Sequence, residues 1–337
     1  MRISFVIPAY NEENYIGDCL DSILNETRGS PYDTEIIVVD NASTDRTAEI
    51  ARKYSEVTVV DEKEKGLVRA RRAGYLASTG DLIANIDSDT RLIPGWLGKV
   101  MAAFEKDPKL VALSGPFIYY DAPWSVRAIT RFFYYWGYFF YLVNRYIFRV
   151  GSMVQGGNFV LRRTALETIG GYDTSLNFYG EDSDIARRIN RVGKVKFTFK
   201  LPVYSSGRRL AKEGTLTIGL RYMMNYFWIM FFKRPFTEDS KDFRLTNKSG
   251  VIHGYESGNK AKEMAIAAGA VIIFLGIVGT LAFAAYRLTE TGTVGVANFV
   301  RLGLTAKEEA QDLQITAKTL SSSTKSMIQE KWNEIGQ

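Results

Sequence analysis

Apolar positions cluster in short runs over the first hundred residues: 3–7, 35–39, 57–60 and 82–86 each carry a single polar residue and are rich in Val and Ile. Runs of this length and composition predict strands buried on both faces. Between them, 14–24, 47–54 and 67–78 mix polar and apolar residues at helical spacing. Strand alternating with helix predicts an α/β fold, with a mostly parallel sheet flanked by helices. Right-handed crossovers put the loop after each strand on one edge, where such sheets bind ligands.

Beyond residue 109 the pattern loosens. A strand is predicted at 111–114, a turn at Gly156-Gly157 and a helix at 183–191. Two aromatic stretches interrupt, 132–143 between Arg131 and Arg145, and 222–232 before Lys233 and Arg234. Both are shorter than the roughly 20 apolar residues a bilayer span requires. Their Tyr, Trp and Arg content predicts helices lying on a membrane surface, with an aromatic-rich core helix as the competing reading. Residues 237–263 read as a polar linker, and 264–286 are 23 residues without a charge, the pattern of a transmembrane helix. Four Lys and Arg in the twenty residues before it, against two in the twenty after, predict a cytoplasmic N-terminal domain. The expected organisation is a catalytic domain over 1–236, with halves 1–109 and 110–236, then linker, span and a 287–337 tail with no visible role.

Composition narrows the chemistry. The 337 residues are 46% apolar and 24% charged, with a net charge of +6. The basic residues are scattered rather than gathered into a nucleic-acid face. A single cysteine, Cys19, excludes an internal disulfide and a Cys-based zinc site. The single histidine, His253, sits in the polar linker and reads as solvated rather than as a general base. A metal would therefore be held by carboxylates, which suits Mg²⁺ or Mn²⁺. The opening residues 1–8 read as a strand entering a loop and not as a secretory signal.

The strongest local signal is Asp87-Ser88-Asp89 at the end of the 82–86 run. Strand geometry would project both carboxylates to one side, where they could share a cation bridging a diphosphate; a solvated turn is the alternative. Pro8-Ala9-Tyr10-Asn11-Glu12-Glu13 and Asp40-Asn41-Ala42-Ser43-Thr44-Asp45 end the first two strands at the same edge. Asp40 could accept hydrogen bonds from a base or ribose, and Asp45 could simply cap a helix. Of Arg69, Arg71 and Arg72, one could neutralise phosphate. Glu181-Asp182 offers a carboxylate to deprotonate a hydroxyl nucleophile, or else only favourable charge at a helix N-terminus.

These motifs, in this order, closely resemble family-2 glycosyltransferases of the Rossmann-like GT-A fold, over about 1–209. The resemblance implies an inverting, metal-dependent transfer of a sugar from a nucleoside diphosphate. Pro8, Tyr10, Glu12, Asp40, Arg71, Asp87 and Gly157 would bind the donor, and Asp87 and Asp89 the metal. Gln155, Asn158, Arg208 and Arg209 would lie on the acceptor side, and Asp182, with Glu181, would supply the base. Asn41 stands where a second Asp is common and Arg72 where Asn is frequent. The motif of processive relatives is absent after Ser205-Ser206-Gly207, so a single transfer is expected. The surface helices and span imply a lipid-linked or glycan acceptor at membrane lipids; a polyprenyl-phosphate acceptor is the alternative. A nucleotidyltransferase would be expected to carry a Gly-rich loop after its first strand, and Pro8-Ala9-Tyr10-Asn11 is not one. A non-catalytic membrane protein is disfavoured by the intact acidic motifs.

Overall fold

The computed structural model describes residues 1–143, 152–176, 180–232 and 236–237. The chain divides into units Met1–Ala267 and Ala268–Gln337, the second wholly outside the described residues. The predicted linker (Thr237 apart), the 264–286 span and the tail also lie outside them. No helix among the described residues is long and apolar enough to cross a membrane.

The four predicted strands form as β1 (Arg2–Ala9), β2 (Asp33–Asp40), β3 (Val57–Asp61) and β4 (Leu82–Ile86). After β5 (Thr90–Leu92) come β6 (Leu110–Ser114), β7 (Phe117–Tyr119), β8 (Asn158–Arg162), β9 (Lys194–Phe197) and β10 (Val203–Ser205). The main sheet has the order β3-β2-β1-β4-β8-β6-β9. It is parallel except for β8, which runs antiparallel to both β4 and β6.

Side chains alternate across β1, and the two faces are covered by different helices. Phe5 and Ile7 pack with Ile16, Cys19, Leu20 and Ile23 of α1 (Ile16–Thr27) and with Trp96, Val100 and Phe104 of α4 (Trp96–Lys106). Spacings of three and four residues put each apolar set on one helical stripe. Each fully buried aliphatic or aromatic side chain contributes about 1.5–3 kcal/mol. Val6 faces the other way, against Val39 and Ala70 of α3 (Leu67–Ala77). Gly74 brings α3 close: a Cβ there would lie 2.3 Å from a Val6 methyl.

Registers carry the motifs to one edge. Ala9 pairs with Asp40, and Val6 with Asn85, so Asp87 lies level with Pro8. A second sheet of order β5-β10-β7 sits beside this edge. Its Ser205–Thr90 pairing brings the chain after β10 against Asp89. The helix predicted at 183–191 starts earlier, as α7 (Glu181–Ile189), because Gly180 takes the left-handed turn that opens it. The aromatic stretches are helical but begin upstream, as α5 (Trp124–Val143) and α9 (Thr215–Phe232). The shorter helices are α2 (Thr47–Ala51), α6 (Arg163–Thr168) and α8 (Arg208–Glu213).

Candidate active site

A cavity of about 620 Å³ opens at this edge. Its walls run from Pro8, Tyr10, Asn41 and Lys65 past Asp87 and Asp89 to Gln155, Gly156 and Asp182. It then continues between α5 and α9, lined by Trp136, Gly137, Met153, Tyr222, Met223 and Tyr226.

Strand β4 ends at Ile86, so Asp87-Ser88-Asp89 forms a turn rather than the continued strand expected from period-2 geometry. The turn is held by bonds from the Thr90 N–H to the Asp87 carbonyl (3.0 Å) and from the Asp87 N–H to the Gly157 carbonyl (3.3 Å). The two carboxylates therefore find different cations. Arg71 donates to Asp87 at 3.0 Å, and Arg208 lies 3.1 Å from Asp89.

Arg208, expected on the acceptor side, is delivered to the acidic turn by the β10–β5 pairing. It also grips Glu12 with both terminal nitrogens, at 2.6 and 2.8 Å, and lies over the Tyr15 ring. Glu12 and Asp89 share this one guanidinium. Burial, reinforced by Glu12 and Asp87 and opposed by Arg208, pushes the Asp89 carboxyl up to about 7. Such under-compensated acid suits an added cation. Among the described residues, no three His, Cys, Asp or Glu side chains gather as a ready-made metal site.

Arg71 lines the cavity although its side chain is almost wholly buried, and it pairs with Glu181 as well as Asp87. Burial pushes the Glu181 carboxyl up to about 7, partly offset by Arg71. Asp182 points elsewhere. It accepts the Gly156 N–H at 3.1 Å and the Ser183 N–H at 2.7 Å. Burial raises its pKa, and those two N–H groups pull it partly back.

Asn158, also expected on the acceptor side, is fully buried, accepts from Trp96 Nε1 at 3.2 Å, and donates to the Gly115 and Leu201 carbonyls at 3.0 and 2.9 Å. It joins β8 to its surroundings and does not line the cavity. Gln155 does line it, accepting from the Tyr134 hydroxyl at 2.9 Å. Arg209 lines it too, paired with Glu213 at 3.2 Å. Gly157 has φ +82°, and a Cβ there would lie 2.1 Å from an Asp87 oxygen, so only glycine lets Asp87 keep its place. Asp40 is half-buried at the edge, where it accepts a long bond from the Ser43 N–H (3.4 Å), and is not among the cavity's walls.

Asn41 shows why an amide stands there. It donates to the Glu62 and Glu64 carbonyls, at 3.1 and 2.8 Å, and accepts from the Gly66 N–H at 2.8 Å. A carboxylate could make only the last of these. The loop so held carries Lys65, which donates to the Tyr10 hydroxyl at 2.6 Å. Arg72 is exposed. Lys65, Tyr134 and the α5–α9 walls were not expected from sequence. The aromatic density of α5 is the available signal: it suits both an exposed face and a packed one, and does not mark a cleft wall.

Residues 4–170 match the family described as Glycosyl transferase family 2. The chain belongs to that family. It is 29% identical over 214 residues to the probable glycosyltransferase YdaM of Bacillus subtilis (strain 168), covering 57% of this chain and 47% of YdaM. It is 34% identical over 109 residues to the dolichol-phosphate mannosyltransferase of Pyrococcus furiosus, covering 31% of this chain and 30% of that one. The matches thus span less than half the length of these curated relatives. Among solved structures, the mannosyltransferase PcManGT of Pyrobaculum calidifontis, in complex with GDP-Man and Mn²⁺, has a TM-score of 0.54 and 18% identity. That likeness covers 97% of this chain and 87% of PcManGT and establishes the shared α/β fold.

Proposed function

We propose that this glycosyltransferase is inverting and metal-dependent, and that it moves a sugar from a nucleoside-diphosphate sugar to a hydroxyl of a lipid-linked acceptor at a membrane. One observation carries the reading: a single cavity joins the Pro8–Asn41 edge, the acidic turn, Asp182 and an aromatic cleft between α5 and α9.

In this reading Pro8, Tyr10 and Lys65 receive the nucleoside, and the diphosphate lies toward Arg208 and the acidic turn. Asp87 and Asp89 would hold Mg²⁺ or Mn²⁺. Their oxygen donors and the surplus acid at Asp89 fit such an ion, whose chemistry would be to stabilise charge on the departing diphosphate. Asp182 takes the proton of the acceptor hydroxyl as that oxygen attacks the anomeric carbon. The new C–O bond forms as the bond to the diphosphate breaks, the electron pair leaves with the nucleotide, and the configuration inverts. A buried carboxylate with raised pKa is a better matched base than a solvated one.

The outer face of α5 supports the membrane part. Trp124, Phe132, Tyr135 and Phe139 are all exposed, beside the exposed Arg127 and Arg131. Aromatic rings with arginines suit the headgroup zone. An anchor at 264–286 with the catalytic domain in the cytoplasm completes the proposal.

Replacing Asp182 with Asn tests the mechanism. Transfer should fall by at least about 100-fold while donor binding by calorimetry persists. Full turnover in that variant would instead favour a polyprenyl-phosphate acceptor, which is already ionised and requires no base. The match to a dolichol-phosphate mannosyltransferase is what keeps that second reading in view.

A further inference from the structure

The face of α3 that packs on the sheet carries Val68, Ala70, Gly74 and, between them, Arg71. A charge at a fully buried helical position persists only when paired. The pairing here is to two elements at once. One terminal nitrogen donates to Asp87, at the end of β4, and the other to Glu181, at the start of α7. The guanidinium also lies 5.2 Å from the Phe159 ring centroid on β8. Asp87 belongs to the acidic turn, and Glu181 directly precedes Asp182. Arg71 Nε and Glu181 Oε2 are both buried without a hydrogen-bond partner among the described residues, so this contact is not a saturated structural network.

We propose that Arg71 is a positioning residue that ties Asp87 to Glu181, thereby fixing the donor-holding turn relative to Asp182. Glu181 is then its counter-ion and not the base. The glycine loop touches the same two segments: Gly156 binds Asp182, while Gly157 packs against Asp87. A rigid guanidinium fork can hold two carboxylates at a set separation, and a lysine ammonium cannot. The inference rests on the proposed roles of Asp87 and Asp182.

The test compares Arg71→Met/Glu181→Gln with Arg71→Lys, Glu181→Gln and the parent chain. The double variant removes the buried pair together, and Asp87, whose side chain is 33% exposed, stays solvated. Read out the thermal midpoint, the Mn²⁺-dependent Kd for nucleoside-diphosphate sugars, and kcat and KM separately. The double variant should melt near the parent, bind donor about tenfold more weakly and lose about 100-fold in kcat, the scale of a misplacement near 1 Å. Arg71→Lys should fold and show an intermediate loss of kcat, and Glu181→Gln should stay within about tenfold of the parent. Parent-like Kd and kcat in the double variant or in Arg71→Lys would overturn the inference. So would a Glu181→Gln variant as inactive as Asp182→Asn. Failure of the parent itself to bind any such donor would instead overturn the functional reading.

Discussion

Gly157→Ala isolates what the glycine beside the acidic turn does. At φ +82° an L-residue costs about 1–2 kcal/mol. In addition, the new Cβ would lie 2.1 Å from Asp87 Oδ2 and 2.3 Å from its Cγ. That overlap cannot be absorbed in place, so Asp87 must leave the position in which Arg71 holds it. Gly29→Ala is the control: φ is +72°, nothing lies within 4 Å of the added carbon, and the site is remote. Both variants should lose about 2–8 °C in thermal midpoint, from about 2–4 °C per kcal/mol for a domain of this size. Only Gly157→Ala should weaken Mn²⁺-dependent donor binding, by tenfold or more, which is about 1.4 kcal/mol. Calorimetric titration beside differential scanning measures both quantities. Parent-like donor affinity in Gly157→Ala would refute the link between this glycine and Asp87.

Asn158→Ala should destabilise by about 2–4 kcal/mol, since it strands the Trp96 N–H and two carbonyls in the core; activity per folded molecule should survive, checked by urea melts and turnover at matched folded fraction. Burial raises the Asp182 pKa, so activity should be lost as pH falls through a value above the usual 3.9 of an aspartate. A pH–rate profile for kcat reads that limb directly. Replacing Phe132, Tyr135 and Phe139 together by Ser should weaken co-sedimentation of the 1–237 segment with anionic vesicles and leave the melting temperature within a few degrees, because the three side chains are exposed.

Much of the scaffold was legible because β1, β2 and β4 are central parallel strands, whose short, dense apolar runs have few other uses. Strand direction is not written in such a run, so β8 antiparallel to β4 was invisible. α4 was legible but unread: Trp96, Val100, Met101 and Phe104 form a plain helical stripe. At the site, residue types were readable and pairings were not. Arg71 looks like any helical cation until partners 16 and 110 residues away close on it. Asn158 sits within a glycine motif beside the cavity, and only its three core hydrogen bonds mark it as structural. Arg208 reached the acidic turn through a three-residue pairing of β10 with β5, too short for periodicity to register.

The central claim is that this site binds a nucleoside-diphosphate sugar through its acidic turn. Calorimetric titration of the full chain with UDP-, GDP- and dTDP-sugars, with and without Mn²⁺ or Mg²⁺, tests it most directly. Metal-dependent binding of at least one of them is expected, lost in Asp89→Ala. Absence of binding to every donor with either metal present, or undiminished binding in Asp89→Ala, would contradict it.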